Sequence, residues 1–307
     1  MKILVTGGAG FIGSHVVDKF VEHGHDVVVL DNLDTGKKDN LPLDSITFVE
    51  GDIRDRALLA KAMKGVEKIV HLAASVGNKK SIEMPELDQE INYQGTLFVL
   101  EEMRKNNVTK IVFSSSAGIF GEPTYEPVDE NHPCWPDSPY GVSKLAAERL
   151  ILSYTKLYHL KAVCLRYFNV FGERQYFDAY GNVIPIFMTQ ALKQNPITIY
   201  GSGKQTRDFI YVGDIANANF ESTMNDYSGV LNLGAGGRLE ILELAKKIKS
   251  ISKSSSEITF LDARPGDVLH CTASIEKQHE VLESPANAQL FDQHLAQYFE
   301  WAKNHLV

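Results

Sequence analysis

The sequence predicts an α/β protein built on a doubly wound parallel sheet, with a smaller, interleaved α/β C-terminal domain. Three observations carry this. Short β-rich apolar runs alternate with helix-length segments through the first half of the chain. The runs are almost continuously apolar, as strands covered on both faces are. A glycine-rich stretch, TGGAGFIG, follows the first run and opens a helical pattern. With 307 residues, 44% of them hydrophobic, the chain can bury one large core or two smaller ones, and two coupled domains are expected.

Taken in order, the candidate strands are KILVTGG (2–8), DVVVLDN (26–32), ITFVEGDI (46–53), KIVHLAA (68–74), KIVFSSS (110–116) and AVCLRYFNVFG (162–172). Between the last two, SPYGVSK (138–144) reads as a helix start. Ser138 suits the N-cap and Pro139 the first helical position, where its missing N–H costs nothing. Tyr140 and Lys144 then share a face, because residues four apart on a helix are neighbours. Beyond about residue 170 the rhythm breaks into a polar, aromatic loop (173–185) and a stretch punctuated by Pro and Gly (194–214). GVLNLGAG (229–236) is expected to return to the sheet as a last strand, and LEILELAKKIKS (239–250) to form an amphipathic helix. The expected domains are therefore 1–169, with 208–236 returning to it, and 170–307 as mainly a substrate domain.

Composition excludes several classes. The formal net charge is −8 and no block of like charges appears, which argues against nucleic acid or an anionic membrane as a partner. The N-terminus runs straight into a strand pattern, and no apolar run approaches the ~18 residues a membrane span needs, so a soluble cytoplasmic protein is expected. Cys134, Cys164 and Cys271 are odd in number and widely spaced, unlike a disulfide framework or a zinc site. The ten histidines show no ligand spacing, and no metal is expected.

Gly7, Gly10 and Gly13 lie three apart between strand and helix. Glycines there let the backbone turn tightly and approach a pyrophosphate, while the helix N-terminus faces its charge, as in a Rossmann-like fold. Asp31 ends the next strand pattern, where a carboxylate accepts hydrogen bonds from both hydroxyls of an adenosine ribose and repels a 2′-phosphate. NAD is favoured over NADP. The alternative for Asp31 is a turn cap. Asp52 and Ile53, closing the third strand pattern, are candidates to meet the adenine.

Alone, Tyr140 and Lys144 read as a packing phenol beside a solvated cation. Beside a nicotinamide they gain a purpose. A tyrosine near its ordinary pKa of ~10 is a poor base, but a nearby ammonium and a cationic ring both favour the phenolate. Tyr140 could then take a proton from an alcohol as hydride leaves the same carbon, with Ser116 holding that alcohol or relaying its proton.

At these residues the chain resembles the extended short-chain dehydrogenase/reductase family, in particular its NAD-dependent nucleotide-sugar epimerases and most of all the UDP-hexose 4-epimerases. The resemblance covers nearly the whole chain: GGAGFIG, HLAA, FSSSAGIFG, SPYGVSK, LRYFNVFG, GSGKQTRDFIYVGD and RPGD occur in the family's order. It implies that Tyr140 is the base, that Lys144 orders the nicotinamide ribose and tunes that base, and that Ser116 contacts the reacting hydroxyl. It implies a cofactor site lined by Gly7, Gly10, Phe11, Ile12, Asp31, Asn32, Asp52, Ile53, Leu72, Ala73, Ala74, Asn92 and Ser114, with Tyr167 and Phe168 passing near the nicotinamide. A UDP-sugar is implied at Asn169, Asn182, Val183, Tyr200, Arg207 and Arg264, and guanidinium forks suit diphosphate oxygens. A homodimer is implied through helices near 88–105 and 141–158.

The implied reaction is 4-epimerisation through a transient 4-keto sugar. Family members that are 4,6-dehydratases or decarboxylases resemble one another in carrying an acid one or two residues after the catalytic Ser/Thr; here Ala117 and Gly118 stand there. A redox sensor that holds a dinucleotide without turnover would not need Ser116, Tyr140 and Lys144 together. Phe120 where the family often has Tyr, Gly213 in place of an acid, and SVGNKKSIE (75–83) depart from the pattern. The seventh residue after the RPGD arginine, which in the resembling epimerases roofs the sugar's C2 substituent, is Cys271. Its small thiol points to UDP-N-acetylglucosamine and UDP-N-acetylgalactosamine as substrates, with UDP-glucose and UDP-galactose as a second pair.

Overall fold

The computed structural model describes residues 1–177, 182–263 and 268–306. Strands β1 (Lys2–Thr6), β2 (Asp26–Asp31), β3 (Ile46–Glu50), β4 (Lys68–His71), β5 (Lys110–Ser116) and β6 (Lys161–Tyr167) precede three short ones, β7 (Asn169–Phe171), β8 (Ile197–Tyr200) and β9 (Thr206–Arg207). Then come β10 (Phe209–Tyr211), β11 (Gly229–Leu233), β12 (Leu239–Glu240) and β13 (Ile258–Leu261). The helices are α1 (Phe11–Glu22), α2 (Arg56–Ala62), α3 (Asn78–Glu83), α4 (Pro85–Gln89), α5 (Thr96–Lys105), α6 (Pro139–Tyr158), α7 (Val183–Leu192), α8 (Val212–Met224), α9 (Ile241–Ile251), α10 (Glu276–Val281) and α11 (Phe291–His305). A π-helical turn, Glu90–Gly95, joins α4 to α5.

The main sheet has seven strands in the order β11-β6-β5-β4-β1-β2-β3, every pairing parallel. Successive strand residues point to opposite faces, so apolar runs feed two cores at once. Ile3, Val5, Val27, Val29, Val112 and Val163 meet α1 and α8 on one face. Leu4, Val28, Leu30, Ile69, Ile111 and Cys164 meet α2, α5 and α6 on the other. The chain winds outward in both directions from the β1–β4 neighbours, and the crevice beyond their carboxyl ends is where such sheets bind ligands.

The run expected over 162–172 is two strands. The break falls at Phe168, whose N–H donates to Leu233 O, whereas Asn169 N–H donates to Asp208 O. The strand thus changes partners: β6 stays in the main sheet and β7 pairs with β10 in a separate ribbon. Phe168 packs between them with Ile119, Phe120, Val128, Cys271 and Ala273. The expected last strand forms as β11 beside β6, and the expected helix over 239–250 begins at Ile241, because Leu239 and Glu240 pair with β9. A third core of Phe171, Phe187, Met188, Leu244, Ile248 and Tyr298 supports the C-terminal part. No helix among the described residues is long and apolar enough to cross a membrane.

Candidate functional site

The loop after β1 is packed too tightly for side chains. Gly7 has φ +69°, and a Cβ there would lie 2.6 Å from the Ala73 nitrogen; a Cβ on Gly13 would collide with the Gly7 carbonyl. Leu72, Ala73 and Ala74, following β4, form the opposite wall of this crevice, and Ala73 N–H donates to Thr6 Oγ1 at 3.3 Å. Helix α1 starts at Phe11 behind Gly10 with no side-chain cap, so its first amides can face an anion. Phe11 and Ile12 are half-buried in the same turn.

Asp31 sits at the carboxyl end of β2. Its Oδ2 accepts from Ala9 N–H at 2.9 Å and its Oδ1 from Leu33 N–H at 2.8 Å. It therefore does brace a turn, and it ties that turn to the glycine loop as well. Burial raises its carboxyl, and these two bonds oppose the rise. Each oxygen keeps a further lone pair. Hydrogen bonds from Arg54 hold the Asp52 carboxyl below the usual range, and Asn32 Nδ2 donates to Asp52 Oδ2 at 3.2 Å. The Ile53 side chain belongs to the core under α2.

At the end of β5 and the start of α6 lie Ser116, Tyr140 and Lys144. Ser138 Oγ accepts from Gly141 N–H at 3.1 Å and Pro139 opens α6, as the sequence predicts. Lys144 Nζ donates to Ser114 O at 2.8 Å and lies 3.5 Å from Ser114 Oγ. Ser116 Oγ accepts from Gly118 N–H at 3.1 Å, and the Ser116 hydroxyl favours the Tyr140 phenolate. Burial pushes Tyr140 up to about 12, against the lowering effect of the Ser116 hydroxyl and with the Asp88 charge. Burial pushes Lys144 down to about 7, against the attraction of Asp88. Burial thus outweighs the Ser116 hydroxyl at Tyr140 and the Asp88 attraction at Lys144.

A buried polar chain that the sequence reading missed stands behind this pair. Asp88, 1% exposed, accepts from Ser143 Oγ at 2.6 Å and Asn92 Nδ2 at 3.0 Å. Asn92 also clasps Ser75 through that residue's N–H (2.8 Å) and carbonyl (3.0 Å), so its amide braces the crevice wall. Thr96 Oγ1 donates to Asn92 O at 2.6 Å and contacts His71 Nε2 at 3.0 Å; His71 Nδ1 contacts Thr6 Oγ1 at 2.7 Å. Burial drives His71 down to about 3, so it is neutral. The chain runs from the residue before Gly7 to the residue before Lys144. Its sequence signal was Asp88, Asn92 and Thr96, four apart on one helical face.

A second missed feature fixes α6 on the sheet. Arg166 in β6 pairs with Glu148 in α6 at 2.7 and 3.1 Å, and Ser115 Oγ donates to Glu148 at 2.7 Å; the two charged residues are 2% and 0% exposed. Tyr167 is in register with Ser116, but its hydroxyl turns to Asn219 in α8, donating at 2.9 Å.

The residues implied for the nucleotide sugar divide. Asn169, Arg207 and Cys271 converge: Asn169 Nδ2 donates to Asp208 O at 3.0 Å, and the Arg207 charge acts on Cys271. Burial pushes the Cys271 thiol up to about 12, so it is neutral among apolar neighbours. Asn182 precedes Val183 at the start of α7, with Nδ2 3.5 Å from Val170 O. Tyr200 ends β8, and its carbonyl accepts from Gln205 Nε2 at 2.7 Å. Arg264 lies outside the described residues.

A sequence model of the NAD dependent epimerase/dehydratase family matches residues 3–234. The chain belongs to this family. It is 46% identical over 277 residues, 90% of each chain, to a putative UDP-glucose 4-epimerase of Methanocaldococcus jannaschii. Among solved structures it is similar to a UDP-N-acetylglucosamine 4-epimerase of Methanobrevibacter ruminantium in complex with UDP-N-acetylmuramic acid, with TM-score 0.94, 36% identity, and coverage of 98% of this chain and 97% of that one. It is likewise similar to a UDP-glucose 4-epimerase of Thermotoga maritima with UDP-glucose, with TM-score 0.95, 34% identity and full coverage of both chains.

NAD is the cofactor of this epimerase-family protein, and the residues present fit it. A loop where Cβ atoms at Gly7 and Gly13 would collide, an uncapped helix start, and a carboxylate with free lone pairs at the end of β2 suit pyrophosphate and ribose in turn.

Proposed function

We propose that this NAD-dependent isomerase interconverts UDP-N-acetylglucosamine and UDP-N-acetylgalactosamine at C4, accepts UDP-glucose and UDP-galactose as a second pair, and works as a cytoplasmic homodimer. The observation that carries the substrate is Cys271, a small, neutral side chain packed with Ile119, Phe120 and Phe168. A thiol leaves space for an acetamido group where a phenol would fill it.

In this reading Tyr140 accepts the proton of the sugar 4-hydroxyl and returns it after the sugar has turned over. Ser116 steadies the reacting oxygen and lowers the cost of the phenolate. Lys144, held on Ser114 O, orders a ribose hydroxyl in this reading and exchanges the proton that Tyr140 gains. Bound NAD supplies the hydride acceptor and donor and, when oxidised, a positive ring that favours the phenolate. Asn169, Arg207, Tyr200 and Arg264 grip the nucleotide end, leaving the sugar free to present either face as a transient 4-keto species. Dehydration needs a carboxyl acid beside Ser116, and Ala117 and Gly118 supply none. The Asp88 carboxylate is engaged by Ser143 and Asn92.

The test is an equilibrium assay of the purified protein on UDP-N-acetylglucosamine and UDP-glucose separately. Formation of the 4-epimer from both is expected, with the N-acetylated sugar turned over at least as well. Turnover of UDP-glucose and UDP-galactose alone would refute the assignment.

A further inference from the structure

We propose that Asp208 is the positioning residue of the nucleotide-sugar half of the site, tying together the three segments that carry Asn169, Arg207 and Cys271. The proposal rests on the reading that those residues meet the nucleotide sugar. Asp208 follows Arg207 directly, between β9 and β10, and is fully buried (0% exposed). Its carboxylate gathers backbone from two other places: Oδ1 accepts from Ala235 N–H at 2.9 Å, and Oδ2 from Gly236 N–H and Ala273 N–H, both at 3.1 Å. Its own carbonyl accepts from Asn169 twice, through the main-chain N–H at 3.1 Å and Nδ2 at 3.0 Å.

One residue thereby sets the spacing of the strand after β6, the turn after β11 and the segment just beyond Cys271. A buried carboxylate without partners is costly, and one that receives several amide N–H bonds holds those amides in one arrangement. Burial raises its carboxyl to about 6, and the amide bonds pull against that rise. Nothing in this cluster touches the glycine loop, Asp31, Ser116, Tyr140 or Lys144 through a hydrogen bond among the described residues. Loosening it therefore shifts the groups that grip the nucleotide and leaves the chemistry of Tyr140 and the cofactor in place. A site residue displaced by a fraction of an ångström loses binding even when it is still present.

Two variants probe the same contact. Asp208→Asn keeps the shape but sets an NH2 group against backbone N–H donors. Gly234→Ala leaves Asp208 intact but brings a Cβ into Asp208 Oδ2 and to 2.5 Å from Ala273 Cβ, wedging the cluster open. UDP binding is measured by calorimetry, KM and kcat with UDP-N-acetylglucosamine and UDP-glucose, and NAD by extraction. The expected result for both is a ~10-fold rise in the UDP Kd and in KM, equivalent to about 1.4 kcal/mol, with kcat and NAD content unchanged. Folded variants with wild-type Kd would overturn the proposal. So would variants that lose NAD and kcat together with UDP, or that both fail to fold, because Asp208 would then be a general structural residue. Failure of the wild type to bind UDP would instead remove the nucleotide-sugar reading, and this proposal with it.

Discussion

Replacing Cys271 by tyrosine adds a phenol at a position 8% exposed and backed by Ile119, Phe120, Val128, Phe168 and Ala273, all buried. Interiors are packed at crystal density, so the ring cannot go inward without moving two phenylalanines. On the proposed assignment the ring then takes the space of the sugar's C2 substituent. An acetamido group competing for that space meets an overpacking cost of ~1–3 kcal/mol, which is about 5-fold to 150-fold in kcat/KM. A C2 hydroxyl meets little of it. We expect the ratio of kcat/KM for UDP-N-acetylglucosamine over UDP-glucose to fall in the variant by a factor within that range, while thermal stability and NAD content show the protein intact. A Cys271→Tyr protein that handles UDP-N-acetylglucosamine as well as the wild type does would refute the assignment of this position to the C2 substituent.

Protein purified without added cofactor should release NAD on denaturation, because a 2′-phosphate would meet the Asp31 carboxylate; predominantly NADP in the extract contradicts that argument. Glu148→Gln leaves the Arg166 charge buried without its partner and should cost ~3–5 kcal/mol in a urea unfolding curve, and an unchanged midpoint would show that the pair does not hold α6 on the sheet. Tyr93, Val142, Leu157 and Tyr158, on the π-helical turn before α5 and on α6, are exposed apolar or aromatic residues. Light scattering should give the mass of two chains, and a monomer would remove the proposed dimer alone.

The parallel sheet was legible because its strands are apolar on both faces, and the start of α6 because Ser138 and Pro139 make a local signal that packing did not override. The partner change at Phe168 was not legible: AVCLRYFNVFG is apolar through the break, and only Leu233 O and Asp208 O, far away in sequence, decide it. The same limit hid the polar chain. His71 and Thr6 look like ordinary strand residues until the sheet sets them side by side, and Asp88 looks like a surface acid on a short helix. Arg166 and Glu148 are opposite charges whose pairing depends on how α6 rolls on β6. Ser116, Tyr140 and Lys144 were readable as a group, yet the pKa of Tyr140 and that of Lys144 are governed by burial, which their helix spacing does not reveal.

Tyr140→Phe keeps the ring and removes only the hydroxyl, and so tests most directly whether this side chain is the base of a UDP-sugar 4-epimerase. Wild type and variant are incubated with UDP-N-acetylglucosamine, and the 4-epimer is quantified by chromatography alongside extracted NAD and calorimetric UDP binding. The wild type should reach an equilibrium of both epimers, and the variant should be at least ~10²-fold slower with NAD content and UDP affinity unchanged. A variant that epimerises at near the wild-type rate, or a wild type that forms no epimer, would contradict it.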